Sequence, residues 1–230
     1  MTGSYGGREP LAALDRVHLV ECGEPLVDLR ETCPEVLITR TTTIPWVRER
    51  VAKMLSVAAA SLPPGLRLGV TEAWRPLQRQ KRGYDRYQEE LRSAHPEWPH
   101  ATLKRMTNRF FHPYDRKAPP GHCTGGAVDA RLYDEAGNEL DLASPFQGKW
   151  EGAPTHVRGL TPDAKRNRML LVQTMISAGF SNCLQEFWHY SFGDAAWAVR
   201  TGSPVCYYGF IELPEQYWRE AEEESLRLGR

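Results

Sequence analysis

Residues 121–142 read GHCTGGAVDARLYDEAGNELDL. Within that stretch 127–133 alternates between apolar and polar positions, the period of a half-buried strand. Asp134, Gly137 and Asn138 supply turn chemistry, and 139–142 returns as a hairpin partner. Working outward, 17–20, 26–29, 66–70 and the aromatic-rich 184–192 also read as strands. A helix is expected from Pro45, with Val47, Val51, Leu55 and Ala58 at helical spacing, stopped by Pro63, Pro64 and Gly65. A second follows Pro76, with Leu77, Tyr84, Tyr87 and Leu91 on its inner face. Thr161 and Pro162 open a third. Its buried stripe is Leu170, Leu171, Thr174, Met175 and Ala178, and Gly179 ends it. A last amphipathic helix runs from Glu215, anchored by Tyr217, Trp218 and Leu226. Residues 143–160, rich in Gly and Pro, form a long loop, a feature more often functional than average. Helices and short strands mix without strict βαβ alternation, which argues for α+β. Residues 1–10 read as a flexible leader and 11–230 as one domain, with no internal repeat.

Composition removes several function classes. The 230 residues carry 29 Lys and Arg against 29 Asp and Glu. A chain without net charge is a poor dedicated nucleic-acid binder, which needs excess basic groups against phosphate. The most basic stretch, 75–117, reads as a solvated helical face. No apolar run reaches the roughly 18–20 residues that span a bilayer. The start MTGSYGGREP lacks the basic and apolar regions of a secretory signal, so a cytoplasmic location is expected. The five cysteines (Cys22, Cys33, Cys123, Cys183 and Cys206) are odd in number and none stands in C-x-x-C spacing. That argues against a disulfide framework or zinc knuckle and for small buried hydrophobes.

Chemistry concentrates in two segments. In the first, His122 and Asp129 stand seven apart across Gly125 and Gly126, which let the backbone turn sharply. Asp129 lies between Val128 and Ala130, an apolar setting in which a carboxylate needs a partner. Taken alone, it reads equally as a hydrogen-bonded structural residue. The second segment is Glu186-Phe-Trp-His189. Glu-x-x-His by itself is a weak signal. On a strand an offset of three sends the two side chains to opposite faces. For both to serve one site, the strand must start after Glu186 or the backbone there must be irregular. Together the segments offer His122, Asp129 and His189 as ligands. Three N/O ligands plus a water make the pattern of a catalytic zinc site. Glu186 is then left to act as general base, and Arg75, in Thr-Glu-Ala-Trp-Arg-Pro, can face an oxyanion. Two rivals use the same residues. Two His and a carboxylate also form the facial triad of iron oxygenases, but those triads place the first His and the acid two apart and need no general base. A zinc-stabilised binding module would be marked by loss of Glu186 or Arg75, and both are present.

The set Trp-Arg-Pro at 74–76, His-x-x-Gly-x-Ala-x-Asp at 122–129 and Glu-x-x-His at 186–189 resembles the D-alanyl-D-alanine dipeptidases of the vancomycin-resistance type. These belong to a wider zinc D,D-peptidase superfamily. The likeness extends from roughly residue 17 to 210. It includes Val27-Asp-Leu-Arg30, Asn167-Arg168 and Ser191-Phe-Gly-Asp194 with Trp197. It implies a single α+β domain of the hedgehog-like type, with a central antiparallel sheet flanked by helices. It implies one zinc ion held by His122, Asp129 and His189, with Glu186 as base and Arg75 as stabiliser of the tetrahedral intermediate. The substrate it implies is a small dipeptide of the cell-wall D-Ala-D-Ala class. Some positions depart from the family pattern. Pro120 stands where a Ser is usual, Gln147 where an Asp follows Phe, Trp74 where a Tyr is common, and Glu72 where an Asp is. Metal and base positions are kept while substrate-facing ones have moved, which makes a substrate other than D-Ala-D-Ala an expectation to test.

Overall fold

The structure is a computed structural model and describes residues 9–229. In chain order the elements are α1 (Leu11–Leu14), β1 (His18–Leu19), β2 (Leu26–Asp28), α2 (Leu29–Thr32), β3 (Leu37–Ile38), β4 (Trp46–Arg48), α3 (Glu49–Ala60) and β5 (Leu66–Glu72). There follow α4 (Leu77–Ala94), α5 (His100–Thr107), β6 (Ala127–Asp134), α6 (Pro162–Ser177), β7 (Ser181–Asn182), β8 (His189–Ser191), α7 (Ala195–Thr201), β9 (Val205–Cys206) and α8 (Arg219–Arg227).

The organising element is a five-stranded sheet in the order β3-β5-β6-β8-β7. It is antiparallel from β5 to β7, as expected, and β3 joins its edge parallel to β5. The alternation of β6 separates two faces. Val128, Ala130 and Leu132 point into the core, where they meet Leu68 and Val70 of β5, Val51, Leu55 and Ala58 of α3, and Leu171 and Met175 of α6. Asp129 and Arg131 lie on the other face. That asymmetry leaves polar side chains of the central strands free to build a site.

Several expectations need correction. Helix α3 starts at Glu49, not Pro45, because 46–48 pairs antiparallel with β2. The pairing buries Val47 and Arg48, whose Nε donates to Thr124 O at 2.9 Å. The hairpin return of 139–142 shrinks to a bridge between Tyr133 and Glu139 and one bond from Leu140 N to Leu132 O. Past it, the Asp141 carboxylate accepts from Ala143 N and Ser144 N and turns the chain away. The inner face of α4 is Arg79, Gln80 and Tyr84, with Leu77, Tyr87 and Leu91 only half-buried. The basic stretch is therefore not wholly a solvated face. Arg79 is buried against Glu222, Thr42 O and Ala221 O. Helix α8 begins at Arg219, after a 3-10 turn over Glu215–Tyr217, and turns Glu222 and Ser225 inward, leaving Leu226 exposed. Of the leader, residues 1–8 lie outside the described residues. Glu9 is buried and ion-paired with Arg200 at 2.5 Å, so that end of it is anchored. The thiols are free, four of them buried and Cys22 exposed. Among the described residues no helix is long and apolar enough to cross a membrane.

Candidate metal centre

Sheet register brings two of the three candidate ligands together. Asp129 of β6 pairs directly with His189 of β8, so their side chains share a face. Asp129 Oδ1 lies 3.1 Å from His189 Nδ1. His122 arrives from a short 3-10 turn, Gly121–Thr124. That turn is closed by Gly125 at φ 71°, where a Cβ would stand 2.4 Å from Leu26 Cδ2. The positive φ is what calls for glycine here, and a side chain would also have to displace Leu26. His122 Nδ1 is 2.8 Å from Ala73 O. A carbonyl only accepts, so Nδ1 carries the proton and Nε2 presents its lone pair to the site. Nε2 is 3.4 Å from Asp129 Oδ1.

The three ligand atoms lie within 4.8 Å of one another. Around a tetrahedral ion with bonds of about 2.0–2.1 Å, neighbouring ligand atoms stand roughly 3.3 Å apart, and two of the separations here are close to that. Two imidazoles and one carboxylate, with no thiol, form the donor set of a catalytic zinc site. The residues present therefore fit the ion. Burial alone would push the Asp129 carboxyl up, but the two imidazoles outweigh it and hold it well below the usual carboxylate range. Burial likewise pushes His122 down, and the Asp129 carboxylate outweighs it and raises it.

Glu186 is brought to the same place by an irregular backbone. Its N–H donates to Cys183 O, and its carbonyl accepts from His189 N at 2.9 Å. Strand β8 starts only at His189, so the offset of three does not separate the two side chains. The expected strand over 184–192 is a turn over most of that range. Glu186, Arg75 and the three candidate ligands line one cavity of about 210 Å³. Arg75 N donates to His122 O. Its guanidinium lies between Glu72, at 3.6 Å, and Gln80 Oε1, at 2.8 Å, and is 20% exposed. Burial opposes its charge, and Glu72 and Asp129 outweigh that and raise its pKa.

Sequence reasoning missed other members of the cavity wall. Gln80 steadies Arg75 and donates to His112 O. Glu9, Arg200 and Asp194 line it from the β7 side, and Trp150 from the 143–160 loop. None carries a spacing signal; only the loop's length hinted at a role. Of the departures, Pro120 does line the cavity. Gln147 does not. It is exposed, bonds Ser144 Oγ and borders a neighbouring hollow. Trp74 is buried and donates to Ile211 O on the side away from the ligands. Cys123 is buried, which pushes its thiol up to about 12, and it is not among the ligand atoms.

A family model described as D-ala-D-ala dipeptidase matches residues 39–207. The chain belongs to this family. Two curated members give the scale of the likeness. The D-alanyl-D-alanine dipeptidase of Escherichia coli K12 is 31% identical over 146 residues, 64% of this chain and 64% of that protein. The D-alanyl-D-alanine dipeptidase of Synechocystis PCC 6803 is 31% identical over 111 residues, 41% of this chain and 45% of that protein. The chain thus spans less than two thirds of either relative's length. Among solved structures, the vancomycin-resistance D,D-pentapeptidase VanY from a VanB-type cassette, in complex with Zn(II), aligns at 15% identity. It covers 70% of this chain and 81% of that one with a TM-score of 0.42. VanYB in complex with D-alanine-D-alanine aligns at 15% identity over 70% and 80%, with a TM-score of 0.43. His122, Asp129, Glu186, His189 and Arg75 all fall within the span of the family match.

Proposed function

We propose that this chain is a zinc dipeptidase acting on D-Ala-D-Ala-type substrates. The observation that carries this reading is that His122, Asp129 and His189 share one cavity with Glu186 and Arg75. One zinc ion held by those three ligands would supply a water whose pKa falls to about 7 and a Lewis acid for the carbonyl. Glu186 takes a proton from the attacking water and delivers it to the leaving amine nitrogen. Arg75 faces the carbonyl oxygen as negative charge develops on it. Its position is set by Gln80 and Glu72, so it is oriented before substrate arrives. Asp129 would be the one anionic ligand, so that with two neutral imidazoles a bound divalent ion would keep one positive unit of charge. Ala73 fixes the His122 tautomer that leaves Nε2 unprotonated. The small cavity favours a short peptide, and Pro120 offers no hydroxyl to it.

The test is zinc content together with hydrolysis of D-Ala-D-Ala by the wild type and by Glu186→Ala. The variant is expected to keep its zinc and lose turnover. Wild-type rates in that variant would remove Glu186 as base. A panel of D,D-, L,D- and N-acylated dipeptides fixes the substrate. Full activity on D-Ala-D-Ala with all others poor would exclude a shifted specificity.

A further inference from the structure

Beside the ligand-lined cavity lies a second, larger hollow of about 630 Å³, against about 210 Å³ for the first. Its walls include Arg131, Phe146, Phe187, Trp150 and Trp188. The two indoles also line the first cavity, so they form the wall common to both. Strand geometry makes the two spaces neighbours on this face of the sheet. Arg131 stands two residues beyond Asp129 on β6, on the same face and about 7 Å along it. Trp188 immediately precedes His189 on the adjoining strand.

Arg131 has chemistry to spare. Its guanidinium stands 4.9 Å from the Phe187 ring centre and 5.4 Å from that of Trp188. Its Nε is buried with no hydrogen-bond partner among the described residues. Its Nη1 meets Glu139 Oε1 at 3.2 Å. Glu139 is 46% exposed, and such a surface pair is worth little. An oxygen acceptor brought into the hollow therefore competes with Glu139 for Nη1 of the guanidinium. Phe146, Trp150 and Trp188 offer partly exposed rings to the hollow, Phe187 being buried against Arg131 and Arg168, and such rings favour a flat apolar group. A ring together with a nearby carbonyl or carboxylate oxygen describes an aromatic amino-acid residue.

We infer that the Arg131 hollow is a substrate subsite that takes an aromatic residue flanking the scissile amide. The inference rests on the peptidase reading for its place in catalysis, but its occupancy is measurable without turnover. Hydrolysis of D-Phe-D-Ala, D-Ala-D-Phe and D-Ala-D-Ala is compared first. One of the two aromatic dipeptides is expected to exceed D-Ala-D-Ala in kcat/KM by roughly tenfold or more, the scale of burying one phenyl ring. Ala143→Phe, on the hollow's wall, should erase that advantage and leave D-Ala-D-Ala turnover within about twofold, and Arg131→Leu should likewise lower kcat/KM for the preferred aromatic dipeptide. D-Ala-D-Ala equal to or better than both aromatic dipeptides overturns the subsite. If no dipeptide is hydrolysed, the peptidase reading fails and the subsite is judged by binding. The metal-free protein is titrated with each aromatic dipeptide by calorimetry and by its tryptophan fluorescence, to which Trp150 and Trp188 contribute. Saturable binding that both variants weaken supports the subsite. Absent binding, or binding that neither variant changes, overturns it.

Discussion

Arg168→Met removes a charge on which two loops hang. Arg168 has no solvent exposure. Its Nε and Nη2 donate to Leu142 O at 2.8 and 2.6 Å, and its Nη1 donates to Pro154 O at 2.8 Å. The guanidinium also lies 3.8 Å from the Phe187 ring centre. Burial, with help from the like charge of Arg131, pushes its pKa down to about 10, so it stays charged near neutral pH. Methionine keeps much of the volume and none of the donors. Each buried carbonyl left without a partner costs about 1–3 kcal/mol, and the lost cation–π contact costs up to about 2 kcal/mol. Relief of the guanidinium's own desolvation offsets part of this. The balance is about 3 kcal/mol of destabilisation, at the lower edge of what breaking a buried charged network costs. Urea denaturation followed by tryptophan fluorescence measures it, with an unchanged m-value expected. Since Leu142 and Pro154 bracket the segment carrying Trp150, hydrogen exchange over 143–153 should accelerate more than exchange in β6. A stability loss under about 1 kcal/mol, or exchange that rises equally in both places, would refute the argument that these three hydrogen bonds hold the loop.

Other outcomes follow from the same geometry. Arg75→Ala should cut turnover by roughly 10²-fold or more, the usual scale for losing an oxyanion donor, at unchanged zinc content. Near-normal kcat would dismiss that role. His122→Ala should drop zinc below one ion per chain by elemental analysis, and an unaltered ratio would count against the ligand set. Glu222 gives a pH signature. Burial pushes its carboxyl up, but hydrogen bonds from Arg82 and Arg79 outweigh this and hold it below the usual range. The stability it contributes is therefore complete above the ordinary Glu pKa of about 4.3 and is lost as pH falls through the depressed folded value. Tm measured from pH 3 to 7 should fall less steeply on the acid side in Glu222→Gln, and parallel curves would refute the pairing.

The candidate ligands were legible in the sequence because each announced itself by residue type. A carboxylate in an apolar strand, a His before two glycines, and a His in an aromatic segment have few bland readings when they occur together. The strand alternation of 127–133 then placed Asp129 correctly. What stayed hidden was buried charge. Arg79 sits in the stretch read as a solvated face, and nothing local marks Arg48 or Arg168 as buried, since the partners of all three are carbonyls and carboxylates far along the chain. Arg79 meets Glu222 across 143 positions, and no local pattern encodes that. The start of α3 was misread for a different reason. Val47 fits the helical stripe of Val51, Leu55 and Ala58, but Val27 of β2 pairs with it first. Local periodicity cannot show which distant strand will claim a backbone.

One irregularity of the sheet ties these features together. Val70 pairs with Ala130, yet Glu72 rather than Thr71 pairs with Asp129, so β5 carries one extra residue at Thr71. Without that bulge Thr71 would stand opposite Asp129, and Glu72 would turn to the core face with Val128. With it, Glu72, Asp129 and His189 form one row across β5, β6 and β8. Glu72 then lies behind Arg75 and Arg79, at 3.6 Å from each. Thr71 is held by its own bonds, donating from Oγ1 to Asp129 O and accepting from Thr43 Oγ1. Asp129, proposed to hold the ion, and Glu72, which meets Arg75, thus stand opposite each other on adjacent strands. Arg75 itself lies three residues past the end of β5 and is tied to that row through Glu72, Gln80 and its backbone bond to His122 O. Strand pairing fixes the carboxylates and side-chain contacts then aim the guanidinium, the kind of support that a preorganised electrostatic site requires.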